Sequence, residues 1–274
     1  MENTLSFEKI ICEMVSNPGL ITIWSRPRYR MTTLFMQLVG KMVKASGKTG
    51  CVFAMGFSKE LFYDRGKSIG FDCSNIVVDD SCPIVPISAD TIRKAVTKFN
   101  GNCIIAIDYY QLLDDCLAAD LKLLALELAV PIFIKGTLSR ISEDNPEGRP
   151  ALHDLKGGKS LLYGKEPFTV KDSDMIMFLW RPHKCHRGLG EAVAYDLGNK
   201  TEIIVAKNRW GELGTIHTEW NEEKACFENV NEDDRWNIMA NAHFNASLYD
   251  TDLGTGAVIA ALENANKAKN QNKT

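Results

Sequence analysis

The chain has 274 residues, 45% of them hydrophobic and 24% charged, and a formal net charge of -3. That length supports one large α/β domain with a sizeable core. The small negative charge excludes a broad basic face for nucleic acid, so any such contact must be local or shared between subunits. Eight cysteines without a CxxC pair, no secretory signal and no apolar run of membrane-spanning length predict reduced thiols, a cytoplasmic location and no membrane partner.

Residues 1–16 read as an amphipathic helix with Leu5, Ile10, Ile11, Met14 and Val15 on one side, stopped by Asn17-Pro18-Gly19. LITIW (20–24) is the first buried strand, and a loop over 25–30 leads into a helix at about 31–45. Strands at 51–55 and 75–80 then alternate with helices at 59–69 and 89–99. The central stretch is CIIAIDYYQLL (103–113), an apolar run of strand length that ends on a single carboxylate, Asp108. In a parallel sheet such a strand delivers its last side chain to the carboxyl edge, where ligands bind. A helix over 115–129 follows, then strands at 131–135 (PIFIK), 175–180 and 202–208, with 215–220 (TIHTEW) closing the sheet. The alternation predicts an α/β fold: a mostly parallel central sheet flanked by helices, with antiparallel strands at the C-terminal edge.

Three units are expected: an N-terminal helix or linker remnant (1–19), the main domain (20–227) and a poorly ordered tail (228–274) holding one short helix near 257–266. The polar segment 142–171 is too long for a plain connection and reads as a functional loop.

A phosphate loop after the first strand needs GxxxxGK[ST], whose glycines let backbone N–H groups close on phosphate. Here the loop is WSRPRYRMTT (24–33): Thr32 stands at the hydroxyl position, but Trp24 and Arg30 occupy the glycine positions and Met31 the lysine position. A phosphate pocket partly filled by Trp24 and Arg30 is the expectation. Gly47-Lys48-Thr49 reads as a helix C-cap and turn, and Gly158-Lys159-Ser160 follows no clear strand. His183, Cys185 and His186 lack an obvious fourth ligand, Asp172 and Asp174 read as polar residues before a strand, and no structural metal is expected.

Six segments in order, SRPRYRMTT (25–33), IIAIDYYQLL (104–113), LAVPIFIKGTLSR (128–140), GRPALHDLKGG (148–158), DSDMIMFLWR (172–181) and IIVAKNRWGELGT (203–215), resemble the C-terminal RecA-like domain of DnaB-type replicative helicases. The resemblance spans roughly 20–227 and implies a RecA-like P-loop NTPase fold and a place in DNA replication. It implies Mg-ATP as the ligand, held by Arg26, Arg28, Arg30, Thr32, Thr33 and Asp108, with Thr32 and Asp108 on the magnesium. It makes Lys207 and Arg209 a finger reaching a neighbouring subunit's nucleotide, and Lys156, Lys159 and Lys165 contacts to single-stranded DNA; solvated lysines and arginines fit the same positions. The implied partners are DNA, a replicative helicase, or further copies in a homo- or hetero-oligomer.

The likeness fails where the chemistry lies. The family's catalytic Glu matches Gly56, its γ-phosphate-sensing Gln matches Thr137, and its phosphate-loop Lys matches Met31. The leading expectation is therefore a degenerate helicase module with little or no ATP hydrolysis, binding DNA or a helicase. The alternatives are an active helicase with a divergent site, in which Arg28 or Arg30 replaces the lost lysine and Glu60 the lost Glu, and a structural interaction domain without nucleotide.

Overall fold

In the computed structural model, residues 5–81, 87–108, 110, 113, 115–138, 149–155, 172–181 and 199–230 are described. They form α1 (Phe7–Ser16), β1 (Gly19–Ser25), α2 (Met31–Ser46), β2 (Thr49–Ala54), α3 (Lys59–Ser68), β3 (Ile76–Asp79), α4 (Ala89–Lys98), β4 (Cys103–Asp108), α5 (Asp115–Glu127), β5 (Pro131–Thr137), a single 3₁₀ turn (Leu152–Leu155), β6 (Met175–Trp180), β7 (Lys200–Asn208), β8 (Gly214–Asn221) and β9 (Cys226–Asn229). The helix starts follow local chemistry. Ser6, Ser58 and Ser88 each accept a hydrogen bond from the amide three residues on, which satisfies a first-turn N–H.

One nine-stranded sheet runs β3-β2-β4-β5-β1-β6-β7-β8-β9. The pairings from β3 across to β6 are parallel, and those from β6 to β9 antiparallel. Right-handed crossovers in opposite directions along the sheet put α2 and α3 on one face and α4 and α5 on the other. β1, β4 and β6 are buried at every residue, and β5 at all but its last, as strands covered on both faces must be. α1 packs on α2 and buries Phe7, Ile10, Ile11, Met14 and Val15 in the same core.

The expected closing strand β8 is not the edge. β9 pairs beyond it, carrying Phe227 edge-on to Trp220 with ring centroids 5.1 Å apart. The Gln37 side chain of α2 donates to the Phe227 carbonyl and accepts from the Phe227 amide, which ties the new edge to the helix. A short polar segment, CFEN, gave little strand signal; the aromatic pair and the Gln37 clamp supply what its composition lacks.

Two features carry the chain toward a site. β4, β5 and β1 are neighbours, with Asp108 level with Lys135 and Lys135 level with Ile23. All three strands end at the same carboxyl edge, over which the loop from Ser25 to Met31 runs into α2. The 257–266 helix, the Gly158-Lys159-Ser160 run and most of the 142–171 loop lie outside the described residues.

Candidate anion-binding site

At that edge lies a cleft of about 700 Å³ lined by the loop, the first turn of α2, the end of α3, the end of β5 and the β8–β9 turn. Arg26, Arg28, Arg30, Thr32 and Thr33 all line it, and so do Arg65 and Lys135, which the sequence alone did not single out. The described lining contains five cationic side chains and no carboxylate.

Two non-glycine residues of the loop take a backbone conformation that ordinary side chains disfavour. Arg28 (φ 69°) and Arg30 (φ 63°) both sit in the left-handed region that glycine enters freely. Arg30 is the N-cap of α2 and offers no side-chain cap. Its carbonyl accepts from the amides of Thr33 and Leu34. The amides of Met31 and Thr32 precede the first intrahelical bonds, at the positive end of a 16-residue helix. The Arg30 guanidinium lies 3.9 Å from the centre of the Trp220 ring and pairs with Glu222 at 3.1 Å. Arg65, in the last turn of α3, donates to Thr33 Oγ1 at 3.4 Å.

Trp24 does not fill the cleft, contrary to expectation. Strand alternation turns it to the opposite face, where it covers Gly136, packs edge-on to Tyr110 and is almost fully buried. A Cβ on Gly136 would lie 2.3 Å from the Trp24 ring, which is why that position is glycine. The cleft therefore stays open, with Arg30 alone of the two bulky residues at its wall.

Beneath the cleft Asp108 is completely buried, and its partner is the Lys135 ammonium. Lys135 Nζ also donates to Thr32 Oγ1 at 3.0 Å. Burial pushes the Asp108 carboxyl above its ordinary range and Lys135 below its own, with each charge opposing the other's shift. Arg181, which follows β6 at the same edge, is brought down to about 10 by burial and by the neighbouring Arg30 charge. Lys135 had a legible signal: like Asp108, it is the single charge in an otherwise apolar strand.

The remaining candidates separate in space. Thr137 lines the cleft, while Gly56 and Glu60 are exposed and line none of it. Lys207 and Arg209 lie at the opposite edge of the sheet, since β7 runs antiparallel to β6. β1, with seven residues, puts roughly 20 Å between the two edges. There Lys207 donates to the Ser173 carbonyl, and Arg209 Nε lies 3.5 Å from Asp174 Oδ1. Asp174 is buried, accepts from the Leu20 amide at 2.9 Å and pairs with Lys122. Gly47 is the C-cap of α2 (φ 66°), as its sequence context predicts. Lys156, Lys159, Lys165, His183, Cys185 and His186 fall outside the described residues. Among the described residues no cluster of three or more His, Cys, Asp or Glu is placed to hold a metal. None of their helices is long and apolar enough to cross a membrane.

A mostly parallel sheet with this strand order and a cationic loop running into a helix at its carboxyl edge defines a RecA-like α/β domain of the P-loop NTPase class. The sequence model of the DnaB-like helicase C terminal domain matches residues 67–229, and the chain belongs to that family. Among curated proteins, the replicative DNA helicase DnaB of Buchnera aphidicola subsp. Baizongia pistaciae (strain Bp) is 31% identical over 171 residues, 58% of this chain and 34% of that protein. DnaB of Pasteurella multocida (strain Pm70) is 26% identical over 255 residues, 78% of this chain and 52% of that protein. The chain thus spans between about a third and a half of these relatives. A solved structure described as the ATPase domain of G40P superposes with a TM-score of 0.66 at 20% identity, covering 84% of this chain and 92% of that one. A DnaB-like replicative helicase, described together with its interactions with primase, superposes with a TM-score of 0.64 at 22% identity, covering 78% of this chain and 58% of that one. Both likenesses bear on the fold alone.

Proposed function

We propose that this chain is a DnaB-like helicase module of DNA replication that holds a phosphate-bearing ligand, the triphosphate of a nucleotide, without hydrolysing it. The observation that carries the reading is the lining of the cleft: Arg26, Arg28, Arg30, Arg65 and Lys135 line it together with the first turn of α2, and no described lining residue is a carboxylate. Cations and backbone amides at a helix start favour anions. Hydrolysis needs in addition a group that orients or deprotonates water. Gly56 cannot serve, Glu60 does not line the cleft, and Asp108 is sealed beneath Lys135.

The module then acts by binding, to DNA or to a replicative helicase. Lys207 and Arg209 sit at the edge remote from the chain's own cleft, so a ring neighbour is the partner that could use them. Arg209 is more than half exposed despite its contact with Asp174. The test is thermal melting of the full chain with ATP and with a non-hydrolysable analogue, alongside phosphate release in the presence of single-stranded DNA. Equal upward shifts with both nucleotides and no release support the reading. Release at rates typical of helicases would favour the divergent active enzyme, and the absence of any shift would favour an interaction domain without nucleotide.

A further inference from the structure

Phosphate-loop sites of this class place magnesium between the loop hydroxyl and the carboxylate that ends a neighbouring strand. In this chain those groups are Thr32 and Asp108, and the Lys135 side chain stands between them. Its ammonium donates to Thr32 Oγ1 at 3.0 Å and pairs with the Asp108 carboxylate. The placement follows from topology. β5 lies between β4 and β1, and Lys135 is level with Asp108 on one side and Ile23 on the other. A lysine near the end of β5 on the α2 face therefore projects into the gap between the carboxylate and the loop. The Phe35 ring lies beneath the ammonium at 5.9 Å and stacks on Phe133, so the lysine stem runs along a fixed apolar wall.

Magnesium needs near-ideal octahedral oxygen ligation at about 2.1 Å. A hydroxyl already accepting from an ammonium, and a buried carboxylate already neutralised by it, do not fit that ion. We propose that Lys135 is a built-in replacement for the divalent cation, so that the cleft binds the triphosphate of a nucleotide, or inorganic tripolyphosphate, without metal. This rests on the phosphate-binding reading above. Lys135 lines the cleft, so its charge is within reach of a ligand, while Arg26, Arg28, Arg30 and Arg65 supply the remaining positive charge. Metal complexed to the ligand removes two of its negative charges, so added magnesium weakens binding instead of enabling it.

The experiment is isothermal titration of the full chain with tripolyphosphate and with ATP, in EDTA and in excess magnesium. The expected result is binding in EDTA at least as tight as in magnesium. It should fall roughly tenfold to a hundredfold in Lys135→Met, as expected for a lost charge-assisted hydrogen bond. Should Lys135→Met fold poorly, Lys135→Met/Asp108→Asn removes both charges and must show the same loss. Binding only with magnesium overturns the replacement while leaving the phosphate-binding reading intact. Binding in EDTA that survives both variants also overturns it, because some other cation then does the work. No binding under either condition overturns both readings together.

Discussion

Replacing Lys135 by Met keeps the length of the side chain and removes its charge, leaving the fully buried Asp108 carboxylate without its ion-pair partner. Breaking one side of a buried pair costs about 3–5 kcal/mol. For a domain of this size that corresponds to a melting point lower by roughly 6–20 °C. Asp108→Asn strands the Lys135 ammonium and has a cost of the same order. The double variant carries neither charge and should lie within about 2 kcal/mol of the parent, so the pair shows strong coupling in a double-mutant cycle.

The pH dependence distinguishes the two single variants. Burial already raises Asp108, and Lys135 opposes that rise; without Lys135 the carboxyl moves higher still. A carboxyl whose folded pKa exceeds its unfolded value binds more protons when folded, so stability increases as pH falls. The deficit of Lys135→Met should therefore shrink as pH falls from neutrality toward the carboxyl's ordinary range. In Asp108→Asn the lysine loses the charge that holds its pKa up and falls further. The unfolded state then binds the extra proton, and the deficit should shrink as pH rises toward the ordinary lysine range. Urea unfolding at each pH reads both slopes. Single variants within about 1 kcal/mol of the parent, or a double variant whose loss equals the sum of the singles, would refute the buried pair and with it the placement of Lys135.

Other outcomes follow from the same geometry. Arg30→Gly removes a left-handed strain of about 1–2 kcal/mol together with a cation–π contact and an exposed ion pair of comparable total value. Its stability should stay within about 1 kcal/mol of the parent while phosphate affinity drops, read by melting and titration together. Asp174→Asn should cost about 2–4 kcal/mol, because it leaves Lys122 facing a neutral group and weakens the acceptor for the Leu20 amide. Arg209→Ala should cost less than about 1 kcal/mol, since its contact with Asp174 is 3.5 Å long and the Arg209 side chain is more than half exposed. Met31→Lys combined with Gly56→Glu should leave the chain without turnover as long as Lys135 is present, checked by phosphate release; hydrolysis in that variant would show that Lys135 does not displace the metal.

The strand and helix order was legible because each buried strand is an apolar run, α1, α3 and α4 each start at a serine cap, and apolar residues recur at helical spacing between the strands. Such runs fix α/β character without knowledge of contacts. The cleft was legible in part. The loop residues were found because they follow the first strand, and Asp108 because a lone carboxylate closes an apolar run. Lys135 closes one in the same way, but its meaning depends on β5 inserting between β4 and β1, a pairing between residues far apart in the chain. Arg65 and Trp220 likewise reach the cleft from α3 and β8, and no local pattern announces that. Trp24 was misjudged for the converse reason: its position in the loop motif pointed at phosphate, while strand alternation sends it to the other face of the sheet.

The most direct test of the account is a single-turnover experiment with the chain in excess over γ-labelled ATP, with single-stranded DNA present, in magnesium and in EDTA. Bound nucleotide recovered intact under both conditions is the expected result. Release of labelled phosphate that depends on magnesium would contradict it, because an open metal site and a competent water would then exist where Lys135 and Gly56 now stand.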